Sequence, residues 1–137
     1  MIFSKDYPLN ILIAENNPDA RASTTTIITE LGYQPRVAGS TEEVLHLTCT
    51  ESYDVILMDI HMPAVEDMLA TRLSDRKDGR PLIIGITGNA RPGFKQICLQ
   101  AGMDHHIRRP VDPQELKLQL KACSVLSGNR RIRTTGE

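Results

Sequence analysis

Short apolar runs alternate along the chain with longer segments in which apolar residues recur at helical spacing. Three of the runs consist almost entirely of Leu, Ile, Val and Met, which is typical of strands that are covered on both faces of a sheet. Two further runs are more polar and suit edge positions. The predicted strands are Leu9 to Ala14, Tyr33 to Ala38, Asp54 to Met58, Leu82 to Ile86 and Asp104 to Ile107.

The segments between and after these runs predict helices. Gly32 and Gly102 supply stop signals after the first and fourth helices, and Ser40 opens the second with the look of a capping box. Asp112 with Pro113 caps the fifth. The predicted helices are Pro18 to Leu31, Ser40 to Thr50, Val65 to about Ser74, a segment with Phe94, Ile97, Cys98 and Ala101 on one face, and a last one with Leu116, Leu120 and Cys123.

Strand and helix alternate five times with short connections. This pattern predicts an α/β fold, a doubly wound parallel sheet with helices on both faces and right-handed crossovers. The length of 137 residues fits one domain. We place that domain at residues 9–126, after an N-terminal extension of residues 1–8. Residues 127–137 show no apolar periodicity and are expected to form a flexible tail or linker remnant.

Composition narrows the classes of function. Hydrophobic residues make up 40% of the chain and charged residues 24%, and the net charge is −1, so no overall field favours nucleic acid or a membrane surface. No apolar run is long enough to insert into a membrane, and the N-terminus makes a poor signal peptide. Cys49, Cys98 and Cys123 lack metal-ligand spacing, which favours free thiols in a reducing, cytoplasmic compartment.

Chemically active side chains follow the predicted strands. Ligands of such sheets bind outside the carboxyl ends of the strands. Glu15 and Asn16 follow the first strand, Asp59 the third, Thr87 the fourth and Arg109 the fifth. Two carboxylates suit a hard cation such as Mg²⁺, whereas a hydroxyl and a guanidinium suit phosphate oxygens. We therefore expect a charged ligand to bind with a metal at this edge.

The stretch "DVILMDIHMP", from Asp54 to Pro63, points to one family among those with this type of sheet. Together with "ILIAENNPDA" before it and "GITGNARPGFKQICLQAGMDHHIRRPVDPQEL" after it, the sequence resembles the receiver domain of two-component response regulators, especially receivers attached to hybrid sensor kinases. The resemblance covers roughly Leu9 to Leu126. It implies a flavodoxin-like sheet of order 2-1-3-4-5. It also implies a signalling module in phosphorelay signal transduction rather than an enzyme.

The resemblance assigns an acceptor and a metal site. Asp59 matches the aspartate that takes a phosphoryl group from a histidine kinase or a phosphotransfer domain. Glu15, Asn16, Asp59 and the main-chain carbonyl of His61 match positions around Mg²⁺. Asn16 departs from the family, which usually has a second acid there. Since cation affinity follows ligand charge, we expect weakened Mg²⁺ binding.

The resemblance also assigns the remaining strand ends. Thr87 matches the hydroxyl residue that bonds the phosphoryl group, and Gly88 leaves room for it. Arg109 stands where the family has lysine, so its planar fork either stabilises phospho-Asp59 or pairs with the unmodified carboxylate. His106 occupies the position of a switching aromatic residue; an edge histidine facing water is the alternative. The family would place a cis peptide before Pro110.

A further departure is Glu66-Asp67, where the family often has Asp-Gly; Asp67 either tolerates the unusual backbone or starts the third helix. The leading hypothesis is a phosphoacceptor that switches partner binding, with a homodimer through the fourth helix, fifth strand and fifth helix as a further expectation. The alternative is a pseudo-receiver, a phosphorylation-independent interaction module, which Asn16 and Arg109 motivate. Arg130, Arg131 and Arg133 are too few to predict nucleic-acid binding.

Two enzyme-like classes share the predicted sheet. A flavin site of flavodoxin type calls for a loop rich in Ser, Thr and Gly after the first strand, but "ENNPDA" offers acids and amides instead. A phosphatase of haloacid-dehalogenase type needs an acid-x-acid motif at the first strand, which Asp59-Ile60-His61 does not supply. The sequence therefore disfavours both classes.

Overall fold

Five parallel strands form one sheet in the order β2-β1-β3-β4-β5. The computed structural model describes residues 3–64, 81–88, 96, 99–100 and 102–135, with side chains described up to residue 127. The strands are Ile11–Ala14 (β1), Arg36–Ala38 (β2), Val55–Asp59 (β3), Leu82–Thr87 (β4) and His105–Arg108 (β5). The predicted fold class and strand order are confirmed, since every pair of neighbouring strands is parallel.

Helices flank the sheet. They are Phe3–Asp6 (α1), Pro18–Glu30 (α2), Thr41–Thr50 (α3) and Pro113–Thr135, here called the C-terminal helix. Ser40 caps α3 by accepting a hydrogen bond from the N–H of Glu43 at 3.2 Å, as the sequence predicts. Gly32 follows α2 with a φ of 101°, the left-handed stop that glycine favours. The predicted helices at Val65 to Ser74 and around Phe94 to Ala101, with the pair Glu66-Asp67, fall largely or wholly outside the described residues.

The strand ends differ from the prediction in ways that side-chain chemistry explains. The Asp54 carboxylate accepts a hydrogen bond from the N–H of Asn10 at 2.7 Å, which closes the chain just before β1 and β3 begin. Asp104 similarly accepts from the N–H of Ile83 at 2.8 Å, so β5 starts one residue later than predicted. Strands β3 and β4 each run one residue further than predicted. Asp59 and Thr87 are therefore the last residues of their strands.

Both chain ends carry helical structure. The N-terminal extension packs on the domain: the N–H of Ser4 donates to the carbonyl of Leu31 at 3.0 Å, and the ring of Phe3 lies 4.8 Å from that of Tyr7. The C-terminal helix continues to Thr135 through residues predicted to be a flexible tail. The helical backbone needs no apolar stripe of its own there, because it propagates from the packed turns before it.

The core has two layers, one on each face of the sheet. Successive residues of β1 alternate between them, so Leu12 belongs to one cluster and Ile13 to the other. The second cluster also contains the predicted stripe of the C-terminal helix, formed by Leu116, Leu120 and Cys123, all fully buried. The predicted burial of the sheet on both faces is thus confirmed. Among the described helices, none has the length and apolar character needed to cross a bilayer.

Candidate functional site

The strand order brings four predicted side chains to one edge of the sheet. Glu15 follows β1, Asp59 ends β3, Thr87 ends β4 and Arg109 follows β5. These strands are successive neighbours in the sheet, and their carboxyl ends point the same way. Glu15 and Asp59 are 3% and 4% exposed, and Thr87 is completely buried. Buried acids of this kind need polar partners, which the neighbouring strands supply.

Asp59 is held by the loop that follows it. Its Oδ1 accepts a hydrogen bond from the N–H of His61 at 2.9 Å, and its carbonyl accepts one from the N–H of Met62 at 3.3 Å. The loop then passes Pro63, whose carbonyl accepts a bond from the hydroxyl of Thr41. Ala64 follows with a φ of 61°. The turn fixes the carboxylate at the strand end.

Arg109 forms an ion pair with Glu15, its Nη2 contacting Oε1 of the carboxylate. Its Nη1 lies 4.0 Å from Oδ1 of Asp59, at the outer limit of an ion pair. The main-chain N–H of Arg109 donates to the carbonyl of Thr87 at 2.7 Å, and the peptide bond to Pro110 is cis, as the resemblance predicts. Burial lowers the pKa of the guanidinium below its ordinary value, yet arginine stays charged in proteins. The main partner of Arg109 is therefore Glu15 rather than the Asp59 that the sequence pointed to.

Two residues that sequence reasoning missed position Glu15. The side chain of Arg21 donates from Nη1 to the carbonyl of Glu15 at 3.1 Å, and the N–H of Asn17 donates to Oε2 at 3.2 Å. Asn17 also caps α2, because its Oδ1 accepts bonds from the N–H groups of Asp19 and Ala20 at 2.9 and 3.0 Å. The signal for Asn17 was present in the sequence, since an asparagine before a proline marks a helix start. Nothing comparable marked Arg21.

The Thr87 hydroxyl reaches the same edge, with its Oγ1 3.4 Å from Nε2 of His61. The sequence assigned His61 a role through its carbonyl alone, so this side-chain contact is an addition. Gly88 is exposed, and a Cβ there would lie 3.8 Å from Nη1 of Arg109, which is ordinary contact. His106 is half-buried, with Nε2 shielded from solvent. Both roles considered for His106, the switching residue and the edge histidine, remain predictions.

The sequence predicts four oxygen donors for a metal at this edge. They are the carboxylates of Glu15 and Asp59, the amide of the exposed Asn16 and the main-chain carbonyl of His61. Within the described ranges no group of three or more His, Cys, Asp or Glu residues could hold a metal ion. The donor types suit Mg²⁺, with a low total ligand charge.

Comparison with known proteins decides the family. The profile of the response regulator receiver domain matches residues 11–121. The chain belongs to the response regulator receiver family. Receiver domains of phosphorelays accept a phosphoryl group from a histidine kinase or a phosphotransfer protein. This domain is accordingly a phosphorylation target rather than a catalytic enzyme, as predicted.

Curated relatives place the receiver among those of hybrid kinases. It is 34% identical over 133 residues to "Hybrid signal transduction histidine kinase H" of Dictyostelium discoideum, a match covering 92% of the chain and 10% of the relative. It is 36% identical over 126 residues to "Histidine protein kinase 1" of Candida albicans, covering 83% of the chain and 5% of the relative. The chain thus spans about a tenth or less of the length of these relatives.

Solved receiver structures share the fold. One is the receiver domain of a sensor histidine kinase from Pseudomonas aeruginosa, described with a magnesium ion coordinated in its active site cleft. It is 28% identical with a TM-score of 0.70, over 85% of this chain and 97% of that one. A Francisella response regulator receiver, 22% identical with a TM-score of 0.76, covers 87% of this chain and 98% of that one. The second likeness concerns the fold alone.

Proposed function

We propose that Asp59 is the residue on which this receiver domain accepts the phosphoryl group. The observation that carries the proposal is the convergence of its buried carboxylate, the Thr87 hydroxyl and the Arg109 guanidinium at the carboxyl ends of β3, β4 and β5. Such a cluster of charged and polar groups at a strand edge is more specific than an isolated aspartate.

In the proposed reaction an oxygen of the Asp59 carboxylate attacks the phosphorus of a phosphohistidine. The P–N bond breaks, its electron pair goes to the imidazole nitrogen, and that nitrogen takes up a proton. An acyl phosphate forms on Asp59. Since nucleophile and phosphoryl group are both negative, catalysis consists largely of positioning and of charge stabilisation. The partner contributes the histidine, and this chain contributes the oriented carboxylate.

Thr87 and Arg109 receive the transferred group in this proposal. The Thr87 hydroxyl donates a hydrogen bond to a phosphoryl oxygen, and the guanidinium offers a bidentate, charge-assisted contact. Gly88 leaves the space beside Nη1 of Arg109 free of a side chain. We extend to His106 the role of a switch residue that follows Thr87, which its shielded Nε2 supports.

Mg²⁺ is the proposed cofactor, held by Glu15, Asn16, Asp59 and the main-chain carbonyl of His61. When bound, the ion neutralises negative charge on the phosphoryl oxygens. The donor types support this choice, as does the magnesium ion described for the Pseudomonas aeruginosa receiver. Asn16 lowers the ligand charge, so we expect weaker binding than in a site with three carboxylates.

The proposed donor is a histidine kinase or a phosphotransfer domain. Hybrid histidine kinases match this chain in sequence, and a receiver of the same fold, that of Ssk1 from Saccharomyces cerevisiae, was crystallised with the phosphotransfer protein Ypd1. We also propose a reducing, cytoplasmic location. Cys49 and Cys123, which the structure describes, are not in disulfide bonds.

We further propose that phosphorylation favours a homodimer through the predicted fourth helix, β5 and the C-terminal helix. On the C-terminal helix Leu118 and Val125 are 71% and 56% exposed and stand two helical turns apart. Sedimentation velocity with and without beryllofluoride, a phosphoryl mimic, tests the dimer. A wild type that stays monomeric in both conditions argues against the proposal, and so does a dimer that persists in Leu118→Asp.

A second candidate function is phosphorylation-independent partner binding. The observation that favours it is the ion pair between Arg109 and Glu15, which ties up a proposed metal ligand. In this alternative the fold is kept as a docking surface, and Asp59 stays unmodified.

Intact-mass measurement after incubation with Mg²⁺ and acetyl phosphate separates the two functions. We expect one phosphoryl adduct on the wild type and none on Asp59→Asn. Asp54→Asn, which removes a carboxylate at the opposite end of β3, is the matched control and should keep the adduct. Labelling that survives in Asp59→Asn contradicts the assignment of the acceptor. An unlabelled wild type beside a labelled Asn16→Asp variant favours the interaction module and identifies the metal site as the cause.

A further inference from the structure

Both oxygens of the Glu15 carboxylate are engaged within the protein. Oε1 pairs with Nη2 of Arg109, and Oε2 accepts a hydrogen bond from the N–H of Asn17 at 3.2 Å. The side chain is only 4% exposed, so solvent competes little for it. A cation that is to use Glu15 as a ligand must therefore displace the guanidinium from Oε1 or share Oε2 with the N–H of Asn17.

We propose that Arg109 is an internal cation that competes with Mg²⁺ for Glu15, and that a phosphoryl group on Asp59 relieves the competition by drawing the guanidinium to itself. This regulation rests on the proposed function of Asp59. The unphosphorylated domain binds Mg²⁺ weakly. The phosphorylated one, with Glu15 released, binds it more tightly.

Charge supports the competition. Glu15 and Asp59 bring two negative charges into a buried edge, and Arg109 cancels one of them. An acid at position 16 would add a negative charge to this edge, but the side chain of Asn16 is neutral. Mg²⁺ dehydrates reluctantly and gains affinity from ligand charge. An edge whose negative charge is already half neutralised by the Arg109 guanidinium holds a divalent cation less strongly than two unpaired carboxylates do.

Geometry supports the exchange of partners. Nη1 of Arg109 is already 4.0 Å from Oδ1 of Asp59, so a phosphoryl group on Asp59 extends the anion towards it. That group carries about −1.5 to −2 charges and three acceptor oxygens, more than the single charge of Glu15. Gly88 places no side chain against the guanidinium, and the Arg109 main chain is anchored to Thr87. The side chain can change partner while the backbone stays in place.

The first experiment measures Mg²⁺ affinity of the unphosphorylated domain, by NMR titration with Mg²⁺ and by the electron paramagnetic resonance signal of free Mn²⁺. We expect Arg109→Gln to tighten binding about tenfold, within the range typical of coupled sites. Arg108→Gln is the matched control, because it removes the same charge from an exposed neighbour on β5. We expect it to change the affinity less than twofold, as weak coupling through solvent allows.

Equal effects of Arg109→Gln and Arg108→Gln would overturn the proposal, because they would reduce it to a general charge effect. Arg109→Lys guards against misfolding of the first variant. It keeps the charge but loses the fork, so we expect tighter Mg²⁺ binding than in the wild type. Unchanged Mg²⁺ affinity in both Arg109 variants, with thermal melting showing that they fold, also overturns it.

The second experiment compares Mg²⁺ affinity with and without saturating beryllofluoride. In the wild type we expect beryllofluoride to tighten Mg²⁺ binding, and we expect this gain to shrink in Arg109→Gln. An equal gain in both proteins contradicts the exchange. If Asp59 is labelled but the Arg109 variants bind Mg²⁺ as the wild type does, the proposed function stands and the competition is wrong. If the domain is not labelled but its Arg109→Gln variant binds Mg²⁺ more tightly, the competition stands and the proposed function of Asp59 is wrong.

Discussion

The hydroxyl of Thr87 lies 3.4 Å from Nε2 of His61, across the gap between the end of β4 and the loop after β3. Thr87 is completely buried, whereas His61 is exposed. The contact therefore shows the direction of the hydroxyl: it points out of the sheet, towards the loop that follows Asp59. We expect a buried threonine directed in this way to contact an anion that binds at the strand ends.

We expect Thr87→Ala to weaken beryllofluoride binding about tenfold or more, because a hydrogen bond to a charged group contributes about 1.5–3 kcal/mol. Thr87→Ser keeps the hydroxyl and should stay close to the wild type. Calorimetric titration in Mg²⁺ measures both. Thr48→Ala removes another buried threonine hydroxyl, one that bonds within α3, and should not alter binding. Equal losses in the Ala and Ser variants at position 87 would contradict the role of the hydroxyl.

Gly85 is needed in the middle of β4 because its neighbours leave no room for a side chain. A Cβ there would lie 2.5 Å from the sulfur of Met103 and 3.0 Å from Cγ2 of Ile60. We expect Gly85→Ala to lower the free energy of unfolding by about 1–3 kcal/mol, as overpacking typically does. Urea denaturation measures the loss.

A double-mutant cycle tests the cause of that loss. In a Met103→Ala background the added methyl group finds space, so Gly85→Ala should cost less there. Gly88→Ala is the comparison, since its Cβ meets only ordinary contacts at 3.8 Å, and it should change stability little. A cost for Gly85→Ala that is independent of Met103 would point to backbone effects instead.

The sequence predicted the alternation of strands and helices because burial on both faces leaves continuous apolar runs in the core strands. Their ends were misplaced where a side chain replaces a strand bond, as Asp54 does at Asn10 and Asp104 does at Ile83. The residues of the site were predicted from their positions at strand ends. The ion pair of Arg109 with Glu15 was not predicted, because the partner of a long side chain depends on distances in the folded structure.

The N-terminal extension contributes to stability through an aromatic cluster. Phe3 lies 4.8 Å from Tyr7 and 6.3 Å from Tyr33 between ring centroids, and the ammonium of Lys117 lies 5.7 Å from its ring. We expect Phe3→Ala to lower the free energy of unfolding by about 1–2 kcal/mol, since aromatic and cation–π contacts contribute about 0.5–1.5 kcal/mol each. Urea denaturation measures this. Lys5→Ala, at an exposed position of α1, is the control. Equal stability of Phe3→Ala and the wild type would support a domain that begins at residue 9.

Tyr33 links stability to alkaline pH. Burial, with a smaller contribution from Cys123, raises its pKa to about 12, while an unfolded tyrosine titrates near 10. The folded state holds the phenol proton more tightly. The stabilisation that comes from the protonated Tyr33 is therefore fully present below about pH 10 and is lost as pH rises through about 12.

Tyr33→Phe removes this dependence, and it also removes the hydrogen bond from the phenol to the carbonyl of Tyr7. Urea midpoints measured across this range should fall more steeply for the wild type than for Tyr33→Phe, although the variant starts lower. Because the pKa of Tyr53 is also raised to about 12, the variant should retain part of the slope. Parallel pH profiles for the two proteins would contradict the linkage.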